Sequence, residues 1–408
     1  GNLANILEES EYETEKRCTV FGECGGCVYL PMDYEAQLEM KRKEIVRIMG
    51  TALDGIHNGA YMGEGEAPYV SDDSEYYKVS DAIFDEIVPS PSVHEYRNKM
   101  EFTFGDEFKD GPLSLGLHKK NSFYDILTVT GCRNIDEDYS KILKITVDYF
   151  NEKKLPFYHK MTHEGYLRNL LVRKAYKTGE IIIDIITSTQ IDFDLSEYVE
   201  LLKKADYKGT LNGILHTVND SLADAVINEG TEVLYGKDYI YEELLGLKFK
   251  ITPFSFFQTN SLGAEVLYST AREFILGDNP DMLADKTVYD LYSGTGTIAQ
   301  MLAPVCQKVV GVEIIEEAVE AAKENAALNH LDNCEFLAGD VLKVLDTIEE
   351  RPDYIVLDPP RDGIHPKALE KIINYGVDHM IYISCKPTSL ARDLEVLLAR
   401  GDVVDKVQ

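Results

Sequence analysis

A chain of 408 residues has room for two or three domains, each with its own core. Hydrophobic residues make up 44% and charged residues 27%, the balance of a folded globular protein, which excludes a disordered or collagen-like chain. Lys and Arg number 41 against 71 Asp and Glu, a formal net charge of -30, so any contact with nucleic acid has to be local.

No apolar run approaches the ~20 residues that span a bilayer, and no charged-then-apolar leader opens the chain. A cytoplasmic protein with no membrane contact is expected. Seven cysteines without a leader are too unevenly spaced for a secreted disulfide framework, which leaves metal binding or catalysis as their use.

In chain order, Cys18, Cys24 and Cys27 crowd into the Gly-rich stretch CTVFGECGGC. A helix is predicted from about Tyr34 to Met49, with Leu38, Ile45, Val46 and Met49 near one face. Residues 61–90 hold eight acids against the single Lys78 and read as a solvated loop or insertion. From Arg97 to Lys250 short alternating segments (EFTFG, LSLGLH, LLVRKAY, EIIIDIIT) predict antiparallel sheet with a few helices. After Pro253 strand and helix alternate through VYDLYS, VVGVEI, CEFLAGD, DYIVLD and MIYISC, the rhythm of a parallel, doubly wound sheet. A last strand is expected in DVVDKV, flanked by Asp402 and Asp405. The expected fold class is thus α/β: a Rossmann-like domain over 253–408, and a mainly antiparallel α+β domain over 1–252. The helix at 34–50 is expected to lie against the Rossmann-like domain.

The strand-helix half carries a ligand site. VYDLYSGTGT sets Asp290 at the end of a buried strand and Gly294-x-Gly296 before a helix, where missing side chains let a ligand approach the backbone. A bare G-x-G also occurs simply to pack helix on strand. The next strand ends in Glu313, 23 residues beyond Asp290, where an acid can accept from both ribose hydroxyls. The third glycine of a dinucleotide site is replaced by Thr297-Ile298-Ala299, which favours S-adenosylmethionine over NAD. Asp340, closing FLAGD, is placed to receive an adenine amino group, or is a turn acid. Asp358-Pro359-Pro360 follows the fourth strand, and Arg361 stands where amino-group methyltransferases carry an aromatic residue.

Cys385, in YISCKPTSLARDL, falls on a strand-to-helix turn beside Lys386. A thiol near a helix N-terminus and a cation has a lowered pKa and becomes a nucleophile, although a lone cysteine is more often a buried structural one. Cys306 and Cys334, in a helical end and a loop, suit the structural role.

Taken together, FFQTN at 256–260, DLYSGTG, DPPR and SCKP, with CTVFGECGGC upstream, resemble the RNA uracil-5-methyltransferase family, closest to its iron-sulfur members acting on 23S ribosomal RNA. The resemblance covers the chain from about Cys18 onward. It implies that Gln258, Tyr292, Thr297, Glu313, Asp340 and Asp358 line the S-adenosylmethionine site and that Cys385 is the nucleophile. The chemistry agrees: carbon 5 of uracil is a poor nucleophile until a thiolate adds to carbon 6, and Arg361 near the uracil carbonyls can stabilise the enolate charge. A structural ion pair is the alternative for Arg361.

Cys18-x5-Cys24-x2-Cys27 with Cys132, 105 residues on, supplies four thiolates, which suit tetrahedral zinc or an iron-sulfur cluster. Spacing alone leans to zinc; the resemblance implies a 4Fe-4S cluster. Residues 151–177 hold Lys153, Lys154, Lys160, Arg168, Arg173, Lys174 and Lys177 against two acids. With Arg97, Lys99, Lys119 and Lys120, and Tyr96, Phe102 and Phe123 interleaved, they are expected to form the RNA face.

Two departures from the family pattern stand out. Only seventeen residues precede Cys18, too few for the barrel-like RNA-binding module many members begin with. No acid after Cys385 sits in the His-x-Glu context of the family's carbon-5 base; Asp393 and Glu395 are expected to be solvated. A truncated chain that binds cofactor, turns over poorly and accumulates a Cys385 adduct is the expectation. The alternatives are a transfer RNA uracil-5-methyltransferase, whose members typically lack the cysteine cluster, and a non-catalytic RNA-binding iron-sulfur protein with a methyltransferase fold.

Overall fold

The computed structural model describes residues 12, 18–54, 83–223, 225–347 and 350–408. Of the acids between 61 and 90, only Asp85 and Glu86 fall in these ranges, so the expected acidic loop lies mainly outside the described residues. Contacts gather the chain into two compact units: Gly1–Asp33 with Ser90–Glu265, and Tyr34–Pro89 with Val266–Gln408. The division thus differs from the expected cut after residue 252, because 253–265 group with the sheet of the first unit.

The first unit is built on a seven-stranded sheet, β1 (Lys99–Asp106), β2 (Leu113–His118), β3 (Ile126–Thr128), β4 (Leu167–Lys174), β5 (Glu180–Thr187), β6 (Thr210–Val218) and β7 (Thr231–Gly236). Their order is β3-β2-β1-β4-β5-β6-β7. All neighbours are antiparallel except β5 and β6. That parallel pair is a crossover through α3 (Ser196–Lys204), a length a hairpin cannot supply. The isoleucine run of β5 is buried on both faces, as a central strand requires. Against the sheet lies α2 (Glu137–Lys153), capped by the Asp136 carboxylate accepting from the Asp138 N–H. Its Tyr139, Ile142, Leu143 and Phe150 join Phe102, Leu170 and Ile183 in the core. A two-stranded sheet, β8 (Ile240–Leu244) with β9 (Leu247–Ile251), completes the unit.

The second unit holds five strands, β10 (Thr287–Leu291), β11 (Lys308–Glu313), β12 (Cys334–Ala338), β13 (Tyr354–Leu357) and β14 (His379–Tyr382). Every pair is parallel, in the order β12-β11-β10-β13-β14. The chain leaves β10 for one side and returns to β13 on the other. The carboxyl ends of β10 and β13 therefore flank a topological switch point, where ligands bind in open sheets of this kind. Around the sheet run α5 (Thr297–Leu302), α6 (Glu316–Leu328), α7 (Val341–Val344), α8 (Pro366–Tyr375) and α9 (Pro387–Ala399). Helix α1 (Tyr34–Leu53) packs on α9, and its Met49 joins Leu291, Ile355 and Leu394 in this core. Helix α4 (Ser261–Leu276) runs from one unit into the other.

DVVDKV does not form the expected strand. Its one ladder contact among the described residues is a bridge from Val407 to Phe84, with Val407 donating to the Ile83 carbonyl at 3.0 Å. Among the described residues, no helix is long and apolar enough to cross a membrane.

Candidate functional site

The parallel sheet brings its candidate residues to one edge. Tyr292 follows β10, Glu313 ends β11, Asp340 lies two residues beyond β12, Asp358 follows β13, and Cys385 lies three beyond β14. Because all five strands point the same way, the five loops open on the same side. Gln258 lies instead in the first unit, half-buried, its carbonyl accepting from Asn98 Nδ2 at 2.8 Å.

The loop after β10 is fixed by backbone and acid together. Tyr292 takes a left-handed conformation at φ 69°, and the N–H groups of Tyr292 and Ser293 both donate to the Val312 carbonyl at 3.0 Å. Glu313 accepts from the Gly294 N–H through Oε2 and the Ile315 N–H through Oε1, each at 3.0 Å. Thr297 opens α5 and is buried. Asp340 caps α7, accepting from the Leu342 N–H at 2.8 Å. One of its oxygens thus does the work of the turn acid that was the other reading. Burial pushes the Tyr292 hydroxyl up to about 12.

Asp290 is fully buried. Its Oδ2 accepts from the Ala299 N–H at 2.9 Å, while Oδ1 meets no donor among the described residues. Burial, then the charge of Asp358, raises its pKa to about 8; burial raises Asp358 to about 6. Carboxylates crowded at a strand edge repel a pyrophosphate and call for a cation. S-adenosylmethionine, with a sulfonium and an ammonium, fits this donor set, and the orphaned Asp290 oxygen is a place for positive charge or a proton. Ile314 and Ile315, exposed beyond Glu313, add an apolar surface suited to a planar base. Sequence reading passed over them, although two isoleucines after a strand-ending acid are out of place in a polar turn.

Cys385 is exposed, in the turn before α9. Lys386 Nζ stands 3.9 Å from Asp362 Oδ1, tying this turn to the loop after β13. Arg361 is exposed, and its guanidinium forms no ion pair among the described residues. Cys306 and Cys334 are thiols pushed up to about 12 by burial, which makes them inert; Cys334 opens β12 rather than lying in a loop.

In the first unit, Cys18, Cys24, Cys27 and Cys132 line one cavity of about 410 Å³, with Val20, Phe21 and Leu117 among its apolar walls. Gly22 turns the loop at φ 91°. Gly25 and Gly26 let it lie against β2, where a Cβ on Gly26 would stand 3.3 Å from Leu117, and the Gly25 N–H donates to the His118 carbonyl at 3.1 Å. Asn134 Nδ2 donates to Cys27 Sγ at 3.4 Å and the Gly26 N–H to Cys24 Sγ at 3.3 Å, contacts that favour thiolates. Burial, and next to it the other cysteines' charges, raise the Cys24 and Cys132 thiols, so a thiolate set here needs a cationic partner. Among the described residues, no group of three or more His, Cys, Asp or Glu is arranged to hold a metal ion, so the cavity brings the four cysteines to one place without setting them in a ligand geometry.

The expected RNA face needs correction. Arg168 is buried, donating to the carbonyls of Asn219, Ser221 and Ala223. Arg173 is 2% exposed and donates to Pro253 and Ser255 carbonyls; Lys174 pairs with Asp136 and Asp138. Lys153 and Lys177 pair with Glu197 and Glu265, Lys99 with Glu101, and Phe102 is core. Of the expected face, Lys120, Phe123 and Lys154 are exposed; Tyr124 and Met161, not expected there, are exposed as well and touch each other. Charge counted along the sequence misses this, because β4 is a central strand buried on both faces, so Arg168 and Arg173 on its two sides both turn inward.

The fold and its acid-lined edge define a Rossmann-like S-adenosylmethionine methyltransferase. The family model described as "Methyltransferase domain" matches residues 283–402. An uncharacterized RNA methyltransferase of Clostridium tetani is 50% identical across all of this chain and 83% of its own length. Another, of Bacteroides thetaiotaomicron, is 33% identical over 93% of this chain and 81% of its own. The crystal structure of Pyrococcus abyssi tRNA (uracil-54, C5)-methyltransferase with S-adenosyl-L-homocysteine superposes with a TM-score of 0.71 at 25% identity, covering 96% of this chain and 81% of that one. The chain belongs to the RNA methyltransferases.

Proposed function

We propose that this protein methylates carbon 5 of a uridine in 23S ribosomal RNA through a covalent adduct at Cys385. The observation that carries the reading is an exposed cysteine on the same sheet edge as the acid cluster, beside a loop whose arginine has no ion pair among the described residues. S-adenosylmethionine supplies an electrophilic methyl group. Tyr292, Thr297, Glu313, Asp340 and Asp358 hold it, Glu313 through the two lone pairs its backbone bonds leave free. The Cys385 thiolate forms a bond to carbon 6, and the electron pair displaced onto the ring makes an enolate. Arg361 stabilises that charge while carbon 5 takes the methyl, the C–S electron pair staying on sulfur as S-adenosylhomocysteine leaves. Transfer of the carbon-5 proton to solvent or a carboxylate base then returns the C–H electron pair to the ring and expels Cys385 as thiolate.

The four thiols of Cys18, Cys24, Cys27 and Cys132 hold a 4Fe-4S cluster in this reading, which would pin the CGGC loop to β2. The cluster site supports a ribosomal substrate, being the feature shared with the family's 23S members. A transfer RNA substrate is the second reading, favoured by the Pyrococcus likeness. Mass spectrometry of ribosomal and transfer RNA from cells lacking the gene decides between them by where 5-methyluridine disappears. Disappearance from neither RNA overturns both.

A further inference from the structure

Helix α9 starts two residues after Cys385, and its first two turns hold the loop after β13 at four successive residues. Ser389 donates its hydroxyl to the Arg361 carbonyl at 2.8 Å. Arg392 Nη2 donates to the Asp362 carbonyl at 2.6 Å. Gly363, at φ 77°, leaves no room for a side chain, since a Cβ there would stand 2.6 Å from Asp393 Oδ2. The Ile364 N–H donates to that same oxygen at 2.8 Å. Positions 389, 392 and 393 are one helix face by their i, i+3, i+4 spacing.

Asp393 is the centre of this arrangement. It is 2% exposed, against the solvated position expected from sequence. Oδ2 also accepts from the Tyr382 hydroxyl at 2.8 Å, at the end of β14. Oδ1 accepts from Arg392 Nε at 3.1 Å and Nη2 at 2.9 Å. A buried carboxylate with four donors holds its geometry firmly, since release of any donor leaves charge uncompensated. The donors come from the β13 loop, from β14 and from α9 itself, the segments that carry Asp358, Arg361 and Cys385.

We propose that Asp393 is a positioning residue that locks residues 361–364, with Arg361 at their head, to the turn bearing Cys385. Nucleophile and enolate-stabilising arginine are then presented in one geometry. The inference rests on the uridine-methylation reading and adds to it a residue with no place in cofactor or RNA contact.

The test uses Asp393→Asn, Ser389→Ala, Arg361→Ala and the double variant Arg361→Ala/Asp393→Asn. Methyl transfer from labelled S-adenosylmethionine to bulk RNA of cells lacking the gene should fall in kcat by roughly tenfold to a hundredfold for Asp393→Asn, as misplacement near 1 Å does. Ser389→Ala, which keeps Asp393, should fall less, and the KM for S-adenosylmethionine should hold in both. The double variant should be no slower than Arg361→Ala alone, because both changes remove one effect. Additive losses, or unchanged kcat in both Asp393→Asn and Ser389→Ala, overturn the lock. An RNA-free arm measures amide exchange: Asp393→Asn should free residues 361–364 while β13 stays protected, and unchanged protection there overturns the lock. Wild-type enzyme that leaves this RNA unlabelled, with the exchange result as expected, overturns the uridine-methylation reading and leaves the lock supported by its exchange arm.

Discussion

The N–H of Gly294 donates to Oε2 of Glu313 at 3.0 Å, so the acid that closes β11 holds the glycine loop that follows β10. Glu313 thus shapes the glycine loop and, on the reading proposed above, also holds the ribose of S-adenosylmethionine. Replacing it by Ala should weaken S-adenosylmethionine binding by about 1 to 3 kcal/mol, through lost charge-assisted bonds and a loosened loop. Glu313→Gln, which keeps one acceptor, should lose less. Equal calorimetric affinities for all three proteins would show that the ribose lies elsewhere.

Asp290 sets a pH dependence of known sign. Its folded pKa, about 8, stands above the ordinary 3.8, so folding takes up a proton there. Below about pH 4 the residue costs the fold nothing; as pH rises towards 8 the penalty grows, and beyond that it is constant. Asp290→Asn should therefore gain in thermal midpoint over the wild type as pH is raised from about 5 to 9. S-adenosylmethionine, a cation, should narrow the gap. Parallel midpoint curves for the two proteins would remove Asp290 from the account.

Arg173 belongs to the interior, not to an RNA surface. Arg173→Ala would orphan the Pro253 and Ser255 carbonyls and open a cavity, an expected loss of about 3 kcal/mol by denaturant titration. Lys120→Ala, at an exposed site, should leave stability within about 0.5 kcal/mol. A matching pair of midpoints would restore Arg173 to the surface.

Anaerobically purified protein should carry about four iron per chain, as a 4Fe-4S centre requires. Cys24→Ala and Cys132→Ala should each lose the iron, and with it stability, because a ligand in the CGGC loop and one 105 or more residues away close a long loop. Stoichiometric zinc in the place of iron would replace the cluster with a single ion.

Much of the fold was legible in the chain because its signals are local. Strand-helix alternation after Pro253 announces a parallel sheet, since parallel neighbours need crossovers, and acids at strand ends announce its ligand edge. The motifs around Gly294, Asp358 and Cys385 depend on neighbours a few residues away, and the family is written in their order. What sequence misplaced is what long-range packing sets. Arg168 and Arg173 look like surface charge until carbonyls some 50 to 80 residues distant take up their donors. DVVDKV has a strand's composition but, among the described residues, finds only Phe84 to pair with.

Asp393 marks the division most clearly. The sequence by itself determined that a helix follows Cys385 and that an acid lies on its second turn. Whether that acid faces water or the β13 loop depends on how α9 rolls against a sheet whose strand order the sequence does not spell out. Tertiary packing turned it inward, where Ile364, Tyr382 and Arg392 supply the donors that make a buried charge tolerable. Periodicity along one chain assigns a residue to a face of its helix; only the neighbouring elements decide what that face meets.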